Sequence, residues 1–145
     1  MPTVNDLLHR KKPNLVITRP EQMVVEAARM MRDQNVGATV VVDAEGAVAG
    51  IFTERDAIRK IIVEGRDPSA TPLSAVMSSP VACCKPSTTL EECGRVMALE
   101  RIRHLPIVED GRLLGMVSSR DILARQMQIQ QTTVEYLHDY LHGKR

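Results

Sequence analysis

Two short runs in this sequence carry residue types that can hold a charged or sugar-bearing ligand: Gly50-Ile51-Phe52-Thr53-Glu54-Arg55-Asp56 and Gly115-Met116-Val117-Ser118-Ser119-Arg120-Asp121. Each falls where an apolar strand pattern gives way to a helical one. Unpaired N–H groups and the positive end of a helix dipole meet at such a junction and favour an anion. A Thr or Ser hydroxyl can bond a phosphate or ribose oxygen, and an Asp carboxylate can accept from both hydroxyls of a ribose. Arg adds a planar donor for phosphate. The same hydroxyl-to-acid spacing also satisfies a helix cap. Capping requires neither the Arg nor the Gly three residues before the hydroxyl. Their recurrence in both runs favours a ligand site, with shared ancestry of the two runs as the competing explanation.

The elements that position these runs are themselves repeated. Val36-Gly37-Ala38-Thr39-Val40-Val41-Val42-Asp43 matches Ile102-Arg103-His104-Leu105-Pro106-Ile107-Val108-Glu109, 66 positions on. After the turn the offset is 65, so Ala44 is one extra loop residue. The first copy predicts a strand at 15–18, a helix over 22–34 with Met23, Ala27, Met30 and Met31 at helical spacing, a buried strand at 38–42, a hairpin partner at 47–52 and a helix over 54–64. The second copy predicts strands at 81–84, 105–108 and 113–117, with helices over 90–100 and 119–128. Thr88 and Glu91 read as the capping box of the first of these helices. Short helices are expected before each copy, at 4–10 and 73–77.

Strand, helix, strand implies a parallel pair with a right-handed crossover, to which the next strand adds antiparallel. The fold class is therefore α/β (α+β), a tandem pair of β-α-β-β-α units packed with pseudo-twofold symmetry through their sheets. The first unit spans 1–66, a turn-rich linker 67–71, the second unit 72–130 and a helical tail 131–145. In the tail, Thr132 and Glu135 read as a cap, Val134, Leu137 and Leu141 as an apolar stripe, and His138 with His142 as a pair lacking a third metal ligand.

At 145 residues the chain fits one compact domain whose halves need each other to bury enough surface. A net charge of +1 and three aromatic side chains (one Phe, two Tyr) give no footprint for nucleic acid. No apolar run approaches the roughly 20 residues of a membrane span, and Asn5, Asp6 and His9 interrupt the N-terminal stretch where a signal peptide would lie. The expectation is a cytoplasmic protein. Cys83, Cys84 and Cys93 are expected to be small reduced residues of the interior, not a redox pair or metal site.

Both halves, from about Val4 to Gln128, resemble the CBS domain, which typically occurs as a tandem pair (a Bateman module). The run from Gly115 to Asp121 beside Arg103-His104-Leu105-Pro106-Ile107-Val108 is especially typical. Stand-alone bacterial CBS pairs with a terminal helix are the members it looks most like. The resemblance implies a crevice between the copies with up to two sites for an adenosine-containing regulatory ligand such as AMP, ADP, ATP or NAD. By that pattern Thr53 and Asp56, with Arg55, face Ala82, Cys83, Arg103, His104 and Pro106. Ser118 and Asp121, with Arg120, face Val16, Ile17, Gly37 and Ala38. Asp would hold the ribose diol, the hydroxyl would hold ribose or phosphate, and backbone with aliphatic side chains would sandwich adenine. Thr39-Val40 departs from the Leu-Pro that the second copy keeps at Leu105-Pro106.

Three functions compete at this stage. One is a nucleotide sensor acting in trans on an unidentified effector protein. The second is a ligand-free dimerisation scaffold. The third is an enzyme, for which the sequence offers no nucleophile with a matched base, no phosphate-binding glycine loop and no metal set. A homodimer is expected in either of the first two cases, with no catalytic cofactor.

Overall fold

The computed structural model of the chain describes residues 1–10, 15–129 and 139–142. In order it runs α1 (Val4–Arg10), β1 (Ile17–Thr18), α2 (Val24–Gln34), β2 (Ala38–Val42), β3 (Val48–Thr53), α3 (Glu54–Asp56) continued by a π-helix (Ala57–Ile62), a 3-10 turn (Leu73–Ala75), α4 (Leu90–Glu100), β4 (His104–Glu109), β5 (Arg112–Ser118) and α5 (Ser119–Ile129). The α/β class and the repeated unit are as expected. Of the expected tail helix only a turn at 139–141 is described. Thr132, Val134, Glu135, Leu137 and His138 lie outside the described residues.

In the first copy β1 pairs parallel to β2, with Ile17 opposite Val40, and β3 returns antiparallel, with Ala38 opposite Thr53. All five residues of β2 are buried, as its unbroken apolar run requires. In the second copy β4 and β5 form the same hairpin, with His104 opposite Ser118. The expected strand at 81–84 shrinks to a single parallel bridge between Cys84 and Ile107. Proline chemistry accounts for the loss. In the first copy the Val40 N–H donates to the Val16 carbonyl at 3.1 Å. Pro106 stands at the matching place and has no N–H to give Ala82.

Helix ends repeat as well. α2 and α4 both stop at a left-handed residue, Asn35 (φ 54) and Arg101 (φ 55). The cap of α4 lies one residue later than the Thr88–Glu91 pair suggested. Thr89 accepts from the Glu92 N–H at 3.1 Å, while the Thr88 hydroxyl turns back to the Lys85 N–H. Two acids in one turn offer two registers for a cap, and sequence alone does not choose between them.

Each copy's core is completed by the segment that precedes the other. Val4 of α1 joins Leu90, Cys93, Met97, Leu105, Ile107, Val117 and Ile122, with Leu7 and Leu8 packed against them. Leu73 and Val76 join Val24, Ala27, Met31, Val41, Phe52 and Ile61 of the first copy. The hydrogen bonds match pair for pair. Val4 N–H donates to Thr88 O and Leu90 N–H to Pro2 O; Leu73 N–H donates to Gln22 O and Val24 N–H to Thr71 O. The exchange makes each core depend on residues from the other side of the linker.

Candidate functional site

Both hydroxyl-to-acid runs form closed capping boxes. Asp56 N–H donates to Thr53 Oγ1 at 3.2 Å, and Thr53 N–H donates to Asp56 Oδ2 at 3.0 Å. Asp121 N–H donates to Ser118 Oγ at 3.1 Å, and Ser118 N–H donates to Asp121 Oδ2 at 2.9 Å. The glycines that open the runs have a packing cause. A Cβ at Gly50 would lie 2.5 Å from Met77 Sδ, and one at Gly115 would lie 3.2 Å from Leu8 Cδ2. Met77 and Leu8 belong to the exchanged segments, so the recurring Gly serves close packing and no longer argues for a ligand.

What remains specific is where the Asp56 carboxylate points. Its residue is only 7% exposed. Oδ1 accepts from Ser78 Oγ at 3.3 Å and pairs with Lys60 Nζ at 3.4 Å. Ser78 is bridged to Ile51 at the edge of β3, and its chain continues four residues later into Ala82. Ser78 and Lys60 are neighbours of the acid that the sequence reading missed. The signal for Lys60 was its place four residues after Asp56 on a helix; Ser78 had none, because its contact comes from the exchange. Arg55 reaches the second copy directly, donating from Nη1 to the Arg101 carbonyl at 3.2 Å. That carbonyl lies two residues before Arg103.

The remaining predicted residues divide. Val16, Ala38 and Pro106 are buried, Ala82, Gly37, His104 and Ser118 half-buried, and Ile17, Cys83, Arg103 and Arg120 exposed. The strand register sets His104 beside Ser118 of its own copy and Ala38 beside Thr53 of its own. The Gly37 loop is acidic in character, because the Glu54 carboxylate comes within 3.5 Å of a Cβ at Gly37 and Glu54 N–H donates to Gly37 O. The matching loop of the second copy carries Arg103, with Ser119 at the place of Glu54 and donating to Arg103 O at 2.9 Å.

The backbone differs too. The Val16 carbonyl accepts from Val40 N–H at 3.1 Å and from Thr39 Oγ1 at 2.9 Å, which uses both lone pairs. Thr39 also meets Thr18 Oγ1 at 3.0 Å, so the Thr that replaces Leu is satisfied inside the core. At Ala82, by contrast, Pro106 cannot donate.

A concavity of about 410 Å³ lies elsewhere, lined by Cys83, Cys84, Lys85, Val108, Glu109, Asp110 and Gly111 at the outer end of the β4–β5 hairpin. Of the predicted site residues only Cys83 lines it. Cys84 and Cys93 are core residues as expected, but Cys83, expected in the interior, is exposed. The hydrogen bond with Cys93, and then burial, push the Cys84 thiol far above its ordinary range, and burial raises Cys83. Among the described residues no three His, Cys, Asp or Glu side chains gather as metal ligands, and no helix is long and apolar enough to cross a membrane.

Comparison with known proteins sets this geometry in context. The sequence profile of the CBS domain matches residues 4–63 and again 73–127. The chain is 40% identical over 108 residues to the CBS domain-containing protein YhcV of Bacillus subtilis, covering 74% of this chain and 76% of that protein. It is 35% identical over 127 residues to the mitochondrial CBS domain-containing protein CBSX3 of Arabidopsis thaliana, covering 85% of this chain and 62% of that one. A solved structure of a protein with CBS domains from Burkholderia ambifaria superposes with a TM-score of 0.83 at 33% identity, covering 88% of this chain and 96% of the other. A hexameric CBS-CP12 protein from bloom-forming cyanobacteria superposes with a TM-score of 0.76 at 26% identity, covering 85% and 70%.

Proposed function

This chain belongs to the CBS-domain family as a tandem pair of its units, and on that premise we propose that it is a regulatory sensor whose inter-copy crevice takes an adenosine-containing ligand. The observation that carries the reading is the convergence on Asp56. The acid and Arg55 sit on one copy, yet their partners Ser78 and Arg101 lie beyond the linker, on the two segments that lead to Ala82–Cys83 and to Arg103–His104. A ribose on Asp56 and a phosphate toward Arg103 would bridge the copies. A ligand acts on such a module only through its differential affinity for two arrangements, and the output passes in trans to an effector protein. The module performs no catalysis in this account.

The Asp56 site is the one that fills with a charged nucleotide. Its loop carries Arg103 and His104, whereas the Asp121 site is lined by Gly37 with Glu54 beside it, which repels phosphate. Its backbone offers the Ala82 carbonyl to the amine of adenine, whereas the Val16 carbonyl is already used twice.

The module also forms a homodimer. Ile58 (55% exposed) and Ile62 (71%) follow Asp56 on one copy, and Leu123 (56%) and Met127 (48%) hold the matching places after Asp121. Four exposed apolar side chains on two pseudo-equivalent helices suit a second copy of the chain. The hexameric relative shows that a CBS protein can assemble.

A thermal-shift panel of AMP, ADP, ATP, NAD and S-adenosylmethionine tests the sensor. Ligand at 100 times its dissociation constant stabilises a one-site protein by about 2.7 kcal/mol, roughly 5–10 °C at this length. The shift should shrink further in Asp56→Ala than in Asp121→Ala. The second reading is an empty interaction scaffold, favoured by the closed capping boxes and by the packing role of Gly50 and Gly115. A flat response across the panel selects it.

A further inference from the structure

We infer that Lys60 is a positioning residue that ties occupancy of the Asp56 site to the exchanged segment 76–78. The inference rests on the sensor reading above and deepens it. Lys60 Nζ donates to the Val76 carbonyl at 2.8 Å and to Ser78 Oγ at 3.2 Å while pairing with Asp56 Oδ1 at 3.4 Å. One ammonium therefore uses its three donors on one acid and on two points of a segment that enters from beyond the linker. That segment is held to β3 by a reciprocal pair of bonds, Ile51 N–H to Ser78 O at 3.0 Å and Ser78 N–H to Ile51 O at 2.8 Å.

A carboxylate only 7% exposed needs a compensating charge wherever its remaining lone pairs go. The Oδ2 atom accepts the Thr53 N–H and keeps one lone pair, so a ribose diol, which offers two hydroxyls, must also engage Oδ1, where Ser78 now donates. Binding then releases or reorients the Ser78 hydroxyl, and Lys60 is the group that stays paired with the acid and holds the segment in place during the exchange. Residues 79–83 follow directly and carry the opposite wall of the proposed site. Ligand at Asp56 is thus read out as a change in how the two copies are tied.

The second copy places different side chains at the matching positions. Arg125 stands at the place of Lys60 and His9 at the place of Ser78. Arg125 Nε is buried with no partner among the described residues. A buried donor left unmatched does not make the three-way tie that Lys60 makes. The tie through Lys60 and Ser78 is built at the Asp56 site.

The experiment compares wild type with Lys60→Met, which keeps the aliphatic stem, and Lys60→Arg, which restores the charge. AMP, ADP, ATP and NAD are titrated by calorimetry, and amide exchange is followed at Ile51 and Ser78 with and without the tightest of the four. Loss of a charged hydrogen-bonding partner should weaken binding by roughly 10–100-fold in Lys60→Met, with Lys60→Arg recovering most of it. Wild type should show ligand-dependent exchange at Ser78, and Lys60→Met should show fast exchange that ligand no longer alters. Binding within twofold of wild type in a folded Lys60→Met, or undiminished ligand dependence at Ser78, overturns the inference and leaves the sensor reading standing. No binding of any of the four to wild type overturns the sensor reading, and the coupling with it.

Discussion

Replacing Gly50 by Ala tests the exchanged packing of segment 76–78 on β3. The added methyl would lie 2.5 Å from Met77 Sδ, 2.8 Å from its Cγ and 3.1 Å from its Cβ. The Met77 side chain must be displaced from its Cγ outward, and its Cβ must give by a few tenths of an ångström, which disturbs the seat of segment 76–78 on β3. Overpacking of this kind costs about 1–3 kcal/mol. Ala also stiffens the unfolded chain, which returns roughly 0.4–1 kcal/mol because Gly50 has no positive φ. The net expectation is a loss of about 1–2 kcal/mol, or roughly 2–8 °C in melting temperature. Gly115→Ala is the internal control. Its methyl meets only the flexible end of Leu8, at 3.2 Å, and that of Ile107, at 3.5 Å. It should stay within about 0.5 kcal/mol of wild type once the same unfolded-state gain is counted. Paired urea and thermal melts of the two variants, with Met77→Ala to relieve the clash, provide the assay. Equal effects of the two glycine substitutions, or a Gly50→Ala cost that persists undiminished in the Met77→Ala background, would refute the packing described here.

Other consequences are direct. Pro106→Val supplies the missing N–H to the Ala82 carbonyl, which accepts no hydrogen bond among the described residues; if that carbonyl holds the adenine amine as proposed, nucleotide affinity should fall by up to roughly tenfold in calorimetric titration while the variant stays folded. Ile62→Glu, at a side chain 71% exposed, should leave the melt unchanged and convert a dimer to the 16.1 kDa monomer in light scattering. Iodoacetamide should label Cys83 alone in the native protein, more slowly than a free thiol because burial raises it, and all three cysteines after denaturation. Labelling of Cys84 or Cys93 in the folded state, read by mass spectrometry, would contradict their place in the core.

Local pattern made much of this fold legible. The unbroken run at 38–42, the paired hairpins and the helix over 90–100 follow from residue type and period, and the 66-residue repeat makes each copy check the other. Three features depend on contacts the pattern does not encode. The strand at 81–84 is lost because Pro106, more than twenty residues on, withholds a ladder bond. The roles of Gly50 and Gly115 emerge only when Met77 and Leu8 arrive from the other side of the linker. Lys60 and Ser78 escaped notice for a related reason, since a Lys four residues after an Asp is ordinary on any helix. Asp56 was readable as a candidate because its capping pattern is local, but the pattern could not say that its second oxygen faces the neighbouring copy.

The most direct test of the account is a crystal structure of the protein grown with whichever adenosine nucleotide gives the largest thermal shift. The account predicts one nucleotide per chain, its ribose on Asp56 Oδ1 and its phosphate toward Arg103 and His104, with the Asp121 site unfilled. Electron density for the ligand at the outer concavity beside Lys85, or at Asp121 alone, would contradict it.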